Sequence, residues 1–168
     1  LYEKVKSIVN HGRMISELGT YEHNIFGLNL RTTDIASAIG RVQLTKLKKF
    51  NEIRNRNAKL LTEKLEGVAG IDTPKNPNGY SHSWHQYTIK VDDRVSLMDF
   101  LKNKEIGSGV YYPKLLYEYP HLKKFKSACK NAESVIKQVL SLPVHPGLTV
   151  EEINEVASEV INWNESRK

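Results

Sequence analysis

Residues 27 to 47 read Gly27-Leu28-Asn29-Leu30-Arg31-Thr32-Thr33-Asp34-Ile35-Ala36-Ser37-Ala38-Ile39-Gly40-Arg41-Val42-Gln43-Leu44-Thr45-Lys46-Leu47. A loop ends at Arg31, and a helix begins at Thr32 or Thr33. Gly27 permits a backbone conformation that other residues resist. A threonine hydroxyl at the start of the helix can accept from a free backbone N–H two or three residues on. Asp34 falls in the first turn, where the positive end of the helix dipole favours a carboxylate. Asn29 and Arg31 stand just before that terminus. An amide and a guanidinium beside unpaired N–H groups suit a phosphate. A capped helix start with a solvated arginine accounts for the same residues, and caps are commoner than phosphate sites.

From Thr33 the helical pattern continues to about Glu66. Ile35, Ile39 and Val42 share one face, and Leu44, Leu47, Phe50, Ile53, Leu61 and Leu65 extend an apolar stripe that drifts around the axis. At 1.5 Å per residue this helix would be about 50 Å long. A kink, or a helix passing from one domain to another, is expected. Gly67 and Gly70 end it.

On the N-terminal side, residues 1 to 10 read as the end of a helix stopped at His11-Gly12. Residues 13 to 31 read as a long loop, of the kind that is often functional or contacts a partner. On the C-terminal side, Ile71 to Tyr80 reads as a connector with Pro74, Pro77 and Gly79. Ser83 to Val91 alternates like a half-buried strand. Val95 to Lys104 is an amphipathic helix, and Gly107 to Tyr112 a second strand ending at Pro113. Ala128 to Leu140 is a helix, and Leu140 to Pro143 a third short strand. Thr149 caps a last helix with Glu151 and Glu152 in its first turn. The expected fold class is α+β: a long linking helix, then a small domain with a short three-stranded sheet and flanking helices. The expected division is residues 1–45 and 46–168.

Composition narrows the function classes. Of 168 residues, 39% are hydrophobic and 26% charged, which suits a soluble globular protein. No apolar run approaches the roughly 20 residues that span a bilayer. No signal peptide is read at Leu1 to Lys6, so no membrane partner and a cytoplasmic location are expected. The start lacks an initiator Met and reads as a piece of something longer. Cys129 is the one cysteine, so no internal disulfide and no cysteine-based zinc site is expected.

The net charge is +6, with lysines and arginines from Lys46 to Lys59 and from Lys123 to Lys130. Each run carries a single aromatic, Phe50 or Phe125, and apolar residues at helical spacing. These are solvated helix faces rather than base-stacking surfaces, so no nucleic-acid partner is expected.

Few residues carry chemistry by motif. His82 and His85 lie three apart, a spacing that in a strand puts them on opposite faces, which argues against a shared metal. There is no HExxH, P-loop, GxGxxG or GxSxG motif. His145 sits in the stiff loop Pro143-Val144-His145-Pro146, and Tyr111-Tyr112-Pro113 reads as a strand end. Both have ordinary structural readings. These signals alone stop at an α+β domain with one anion site in view.

Several segments together resemble the DegT/StrS nucleotide-sugar aminotransferases, enzymes of the aspartate aminotransferase fold that use pyridoxal 5'-phosphate (PLP). They are Asn10-His11-Gly12-Arg13, the Gly27 to Leu47 block, Trp84-His85-x-Tyr87, Gly107 to Pro113 and Leu140 to Thr149. The Gly27 to Leu47 block is the specific part; order and spacing hold over nearly the whole chain. The resemblance implies a C-terminal portion, with the Schiff-base lysine and the aspartate that holds the cofactor's pyridine nitrogen both upstream of Leu1. No catalytic residue is then expected within the chain, and the chain alone is expected to be inactive.

The resemblance further implies a homodimer acting on a nucleotide-sugar and an amino-acid donor. It implies that Asn29 reaches the PLP phosphate of the partner subunit, with Arg31 in the same loop near cofactor or nucleotide phosphates. Tyr112, His145 and Tyr111 fall on the substrate side. Tyr111 and Tyr117 stand where relatives often carry histidine.

Overall fold

The computed structural model describes residues 1–15 and 19–167. The chain divides into two compact units, Leu1–Leu47 and Lys48–Lys168.

In the first unit, helix α1 (Tyr2–Ile8) stops where His11 and Gly12 both take positive φ, at 62° and 75°. The turn closes when the Gly12 N–H donates to the Ser7 carbonyl at 2.8 Å. Strands β1 (Arg13–Ile15) and β2 (Tyr21–His23) then pair antiparallel, Arg13 opposite His23. The sequence predicts a loop here. Three-residue strands are too short to show an alternating period, and residues 16–18 lie outside the described residues. The pair is fastened by side chains: the Arg13 guanidinium lies 3.9 Å from the Tyr21 ring centroid, and His23 Nδ1 donates to the His11 carbonyl at 2.8 Å.

Helix α2 (Asp34–Leu65) begins in this unit and continues into the second. Thr33 is the threonine that caps it, its Oγ1 accepting from the Ala36 N–H at 3.3 Å. Ile35, Ile39, Val42, Leu44 and Leu47 are exposed. The buried residues of α2 are Asn57, Ala58, Leu61 and Leu65, all in its second half.

The second unit is built on a three-stranded antiparallel sheet in the order β3 (Ile71–Asp72), β4 (Tyr87–Val91), β5 (Val139–Leu142). In the central strand Tyr87, Ile89 and Val91 alternate inward and are buried. They meet Leu61 and Leu65 of α2, Leu97 and Leu101 of α3 (Arg94–Asn103), and Ile153, Val156, Val160 and Trp163 of α5 (Val150–Glu165) in one core. Trp163 Nε1 donates to Ser96 Oγ at 3.0 Å and joins α5 to α3. The fold class is α+β. Among the described residues no helix is long and apolar enough to cross a membrane.

In this second unit, three elements differ from the sequence reading. The sheet's third strand is Ile71–Asp72, not Gly107–Tyr112. That stretch contributes a single bridge, Gly109 to Ser141, because the Tyr111 ring folds over Gly109 and Pro113 has no N–H to give. β4 starts at Tyr87 rather than Ser83, since Trp84 takes a positive φ of 49° and its N–H donates to His82 Nδ1 at 2.8 Å. His82 and His85 therefore precede the strand and do not lie on its two faces. Helix α4 (Lys130–Val135) is shorter than read: the Gln138 carbonyl already accepts from the Val91 N–H, so the chain has joined the sheet.

Candidate functional sites

The first candidate lies in the Leu1–Leu47 unit. Residues 28–30 run as an extended stretch against the end of α1. The Leu28 N–H donates to the Ile8 carbonyl at 2.8 Å, the Leu30 N–H to Val9 at 3.0 Å, and the His11 N–H to Leu28 at 3.0 Å. Backbone bonds on both sides of Asn29 thus fix its Cα, and the residue bridges to Asn10. Its Oδ1 accepts from Arg31 twice, from Nε at 3.1 Å and from the backbone N–H at 3.4 Å. That orients the amide: the oxygen turns to Arg31, and Nδ2 carries its two hydrogens with no acceptor among the described residues. The terminal nitrogens of Arg31 are likewise uncommitted. An amide N–H₂ and a guanidinium, just ahead of the N-terminus of α2 in sequence, form a pair of donor groups, with the Asp34 carboxylate in that helix's first turn. A phosphate, which only accepts, is the group that fits the pair.

The second candidate lies in the Lys48–Lys168 unit. A groove of about 490 Å³ runs between Gly107–Ser108–Gly109 and Ser141 to His145, with His85, Gln86 and Tyr111 on its walls. The Gly109 N–H donates to the Ser141 carbonyl at 3.0 Å and the Ser141 N–H returns the bond at 2.8 Å. Ser141 also joins the central strand, its Oγ 2.8 Å from Thr88 Oγ1. Tyr111 and His145, distant in sequence, line this one groove; Tyr112 is exposed and stands outside the lining. A β-carbon at Gly109 would come within 2.7 Å of the Tyr111 ring, so the small residue is what lets the ring lie across the strand edge.

Two residues that hold the His145 loop were not singled out from sequence. Asn57 is fully buried on α2. Its Nδ2 donates to the His145 carbonyl at 3.2 Å, and its Oδ1 accepts from Arg56 Nε at 3.1 Å and Nη2 at 2.8 Å. The signal was present: Asn57 stands four residues before Leu61 and eight before Leu65, so it is a polar residue on the core face, where a hydrogen-bonding role is expected.

Comparisons with known proteins agree over this whole length. The chain is 31% identical over 163 residues to a UDP-N-acetyl-3-dehydro-alpha-D-glucosamine 3-aminotransferase of Acidithiobacillus ferrooxidans, covering 95% of this chain and 42% of that protein. It is 33% identical over 168 residues to a pleiotropic regulatory protein of Geobacillus stearothermophilus, covering 97% and 44%. The crystal structure of DesV from S. venezuelae superposes with a TM-score of 0.89 at 27% identity, covering 98% of this chain and 44% of that one. The chain thus spans less than half the length of the relatives it matches. Residues 1–161 match the DegT/DnrJ/EryC1/StrS aminotransferase family, and the chain belongs to it.

Proposed function

We propose that the full-length protein is a PLP-dependent aminotransferase. It moves an amino group from an amino acid, glutamate by the family resemblance, to the keto group of a nucleotide-linked sugar, and serves polysaccharide or secondary-metabolite synthesis as a cytoplasmic homodimer. One observation carries the reading: Asn29 Nδ2 and the Arg31 guanidinium offer donors just ahead of a helix N-terminus, within the stretch where the family resemblance is most specific. When bound, PLP supplies the electron sink through which the amino group is exchanged.

The geometry supports a role for each of these residues. Asn29 Nδ2 donates to a phosphate oxygen while its Oδ1 keeps Arg31 beside it. Arg31 adds positive charge at the same place. Tyr111 and His145 give the groove polar atoms on two walls, where a sugar nucleotide can be oriented, and Tyr112 extends that surface outside the groove.

The cofactor role is tested in mixed dimers. An amide donor to a phosphate oxygen is worth about 1.5–3 kcal/mol, so Asn29→Ala homodimers should bind PLP about tenfold more weakly or worse. Pair an Asn29→Ala chain with a chain whose upstream lysine is replaced. The intact lysine then sits in the Asn29→Ala chain, opposite a wild-type Asn29. Near-normal affinity at that one site is expected. Equal weakening in both dimers would show that Asn29 acts within its own subunit.

A second reading is a regulatory protein on the same fold that has lost the lysine. The regulatory relative from Geobacillus stearothermophilus favours it. The native sequence upstream of Leu1 separates the two, since transamination requires a lysine there.

A further inference from the structure

We propose that Asn57, braced by Arg56, is a positioning residue for His145, and that His145 offers Nε2–H to an oxygen of the substrate in the groove. The proposal rests on the groove being the substrate side.

The loop after β5 has no regular structure of its own, so its shape needs an outside support. Asn57 gives it one from the buried face of α2. Its Nδ2 reaches the His145 carbonyl at 3.2 Å and the Val144 carbonyl at 3.5 Å. Its Oδ1 is held by two nitrogens of Arg56, and Arg56 Nη2 also donates to the Leu148 carbonyl at 3.2 Å. One amide and one guanidinium thereby fasten the loop at Val144, His145 and Leu148. A buried amide is costly to leave unpaired, so the pair and the loop hold each other in place.

Within the loop, the Leu148 N–H donates to the His145 carbonyl at 3.2 Å, and the Gly147 N–H donates to His145 Nδ1 at 3.2 Å. A backbone N–H can only donate, so Nδ1 must be the bare nitrogen of the neutral ring. The proton then sits on Nε2, which points away from Gly147. His145 lines the groove, so its free function there is a single N–H donor. The matching ligand atom is an acceptor oxygen, as on the phosphate or hydroxyl groups of a sugar nucleotide.

The test uses the full-length protein with PLP, labelled with ¹⁵N-histidine and assigned by His145→Gln. Long-range ¹H–¹⁵N correlation should show a bare Nδ1 and a protonated Nε2 in the wild type. Asn57→Ala should mix the two tautomers. This readout needs no substrate, so it stands or falls apart from the transaminase reading. In turnover, Asn57→Ala should raise the KM for the nucleotide sugar about tenfold, and less than about twofold when His145 is already Ala, because coupled residues are not additive. If Asn57→Ala fails to fold, Arg56→Leu removes the brace at an exposed residue. It should give about a threefold rise with the same disappearance in the His145→Ala background. A wild-type His145 protonated on Nδ1, or a KM effect undiminished in that background, would overturn the proposal.

Discussion

Gly12 and Gly27 pass backbone against backbone, leaving no room for a β-carbon on either. One built on Gly27 would overlap the Gly12 backbone, and one on Gly12 would overlap the Ile25 carbonyl. Gly12 also needs its positive φ of 75°, whereas Gly27 is glycine for space alone. The crossing seats the extended stretch that carries Asn29 two residues later. Gly27→Ala should therefore cost about 1–3 kcal/mol, as overpacking does. In the full-length protein it should also weaken PLP binding, because Asn29 moves with the stretch. Thermal unfolding and cofactor titration on the same sample check both. Wild-type values in both would show that the crossing does not seat the loop.

The start of α5 is closed by a reciprocal pair. Thr149 Oγ1 accepts from the Glu152 N–H at 3.1 Å, and Glu152 Oε2 accepts from the Thr149 N–H at 2.8 Å. Thr149→Ala should cost about 0.5–2 kcal/mol in thermal or urea unfolding. Glu152→Gln should cost less, since an amide oxygen can still accept. The reverse order would contradict the capping account.

Tyr117 donates its hydroxyl to Glu133 Oε1 at 2.6 Å. That bond, helped by burial and by the carboxylate's charge, pushes the Tyr117 phenol up to about 12 from its ordinary 10.0. The same bond, with a second from the Cys129 N–H, holds Glu133 below its ordinary 4.5. The two shifts have opposite pH limbs. Glu133 ionises more easily when folded, so its contribution is present above its ordinary value and is lost as pH falls through the lowered one. Tyr117 keeps its proton longer when folded, so its contribution is full below its ordinary value and is lost as pH rises through about 12. In a ¹³C-tyrosine NMR titration, Tyr117 should remain protonated at about pH 11, a unit above a free phenol. In Glu133→Gln it should titrate near its ordinary value. A wild-type midpoint near that ordinary value would dissolve the pair.

Long periodic elements were legible in the sequence, and short ones were not. α2 starts at Asp34 behind the Thr33 cap and ends at Leu65 before Gly67, as its caps and spacing indicate. α3, β5 and the capped α5 fall within a few residues of their reading. The two-residue β3 and the three-residue β1 and β2 carry no period to detect. The Gly107 to Tyr112 stretch has the residues of a strand, but Tyr111 packs back on Gly109, a contact that composition does not encode. At the candidate sites, Asn29 and Arg31 could be singled out because a helix start exposes donors. That Asn29 Oδ1 faces Arg31 is a matter of rotamers, visible only in three dimensions. Tyr111 and His145 meet in one groove because the segment before Tyr111 bridges to β5 at Gly109 and Ser141, a long-range pairing that the spacing of residues does not reveal.

Transfer of nitrogen from an amino acid to a nucleotide-linked sugar is the activity we propose for the full-length protein. The most direct measurement supplies PLP, ¹⁵N-glutamate and a panel of keto sugars carried on different nucleotides, then reads the nucleotide-sugar fraction by mass spectrometry. One member of the panel is expected to acquire an amino group bearing ¹⁵N, with matching 2-oxoglutarate, and replacing the upstream lysine should abolish the transfer. A protein that binds PLP yet places ¹⁵N on no member of the panel, with glutamate or any other amino acid as donor, would contradict the proposal.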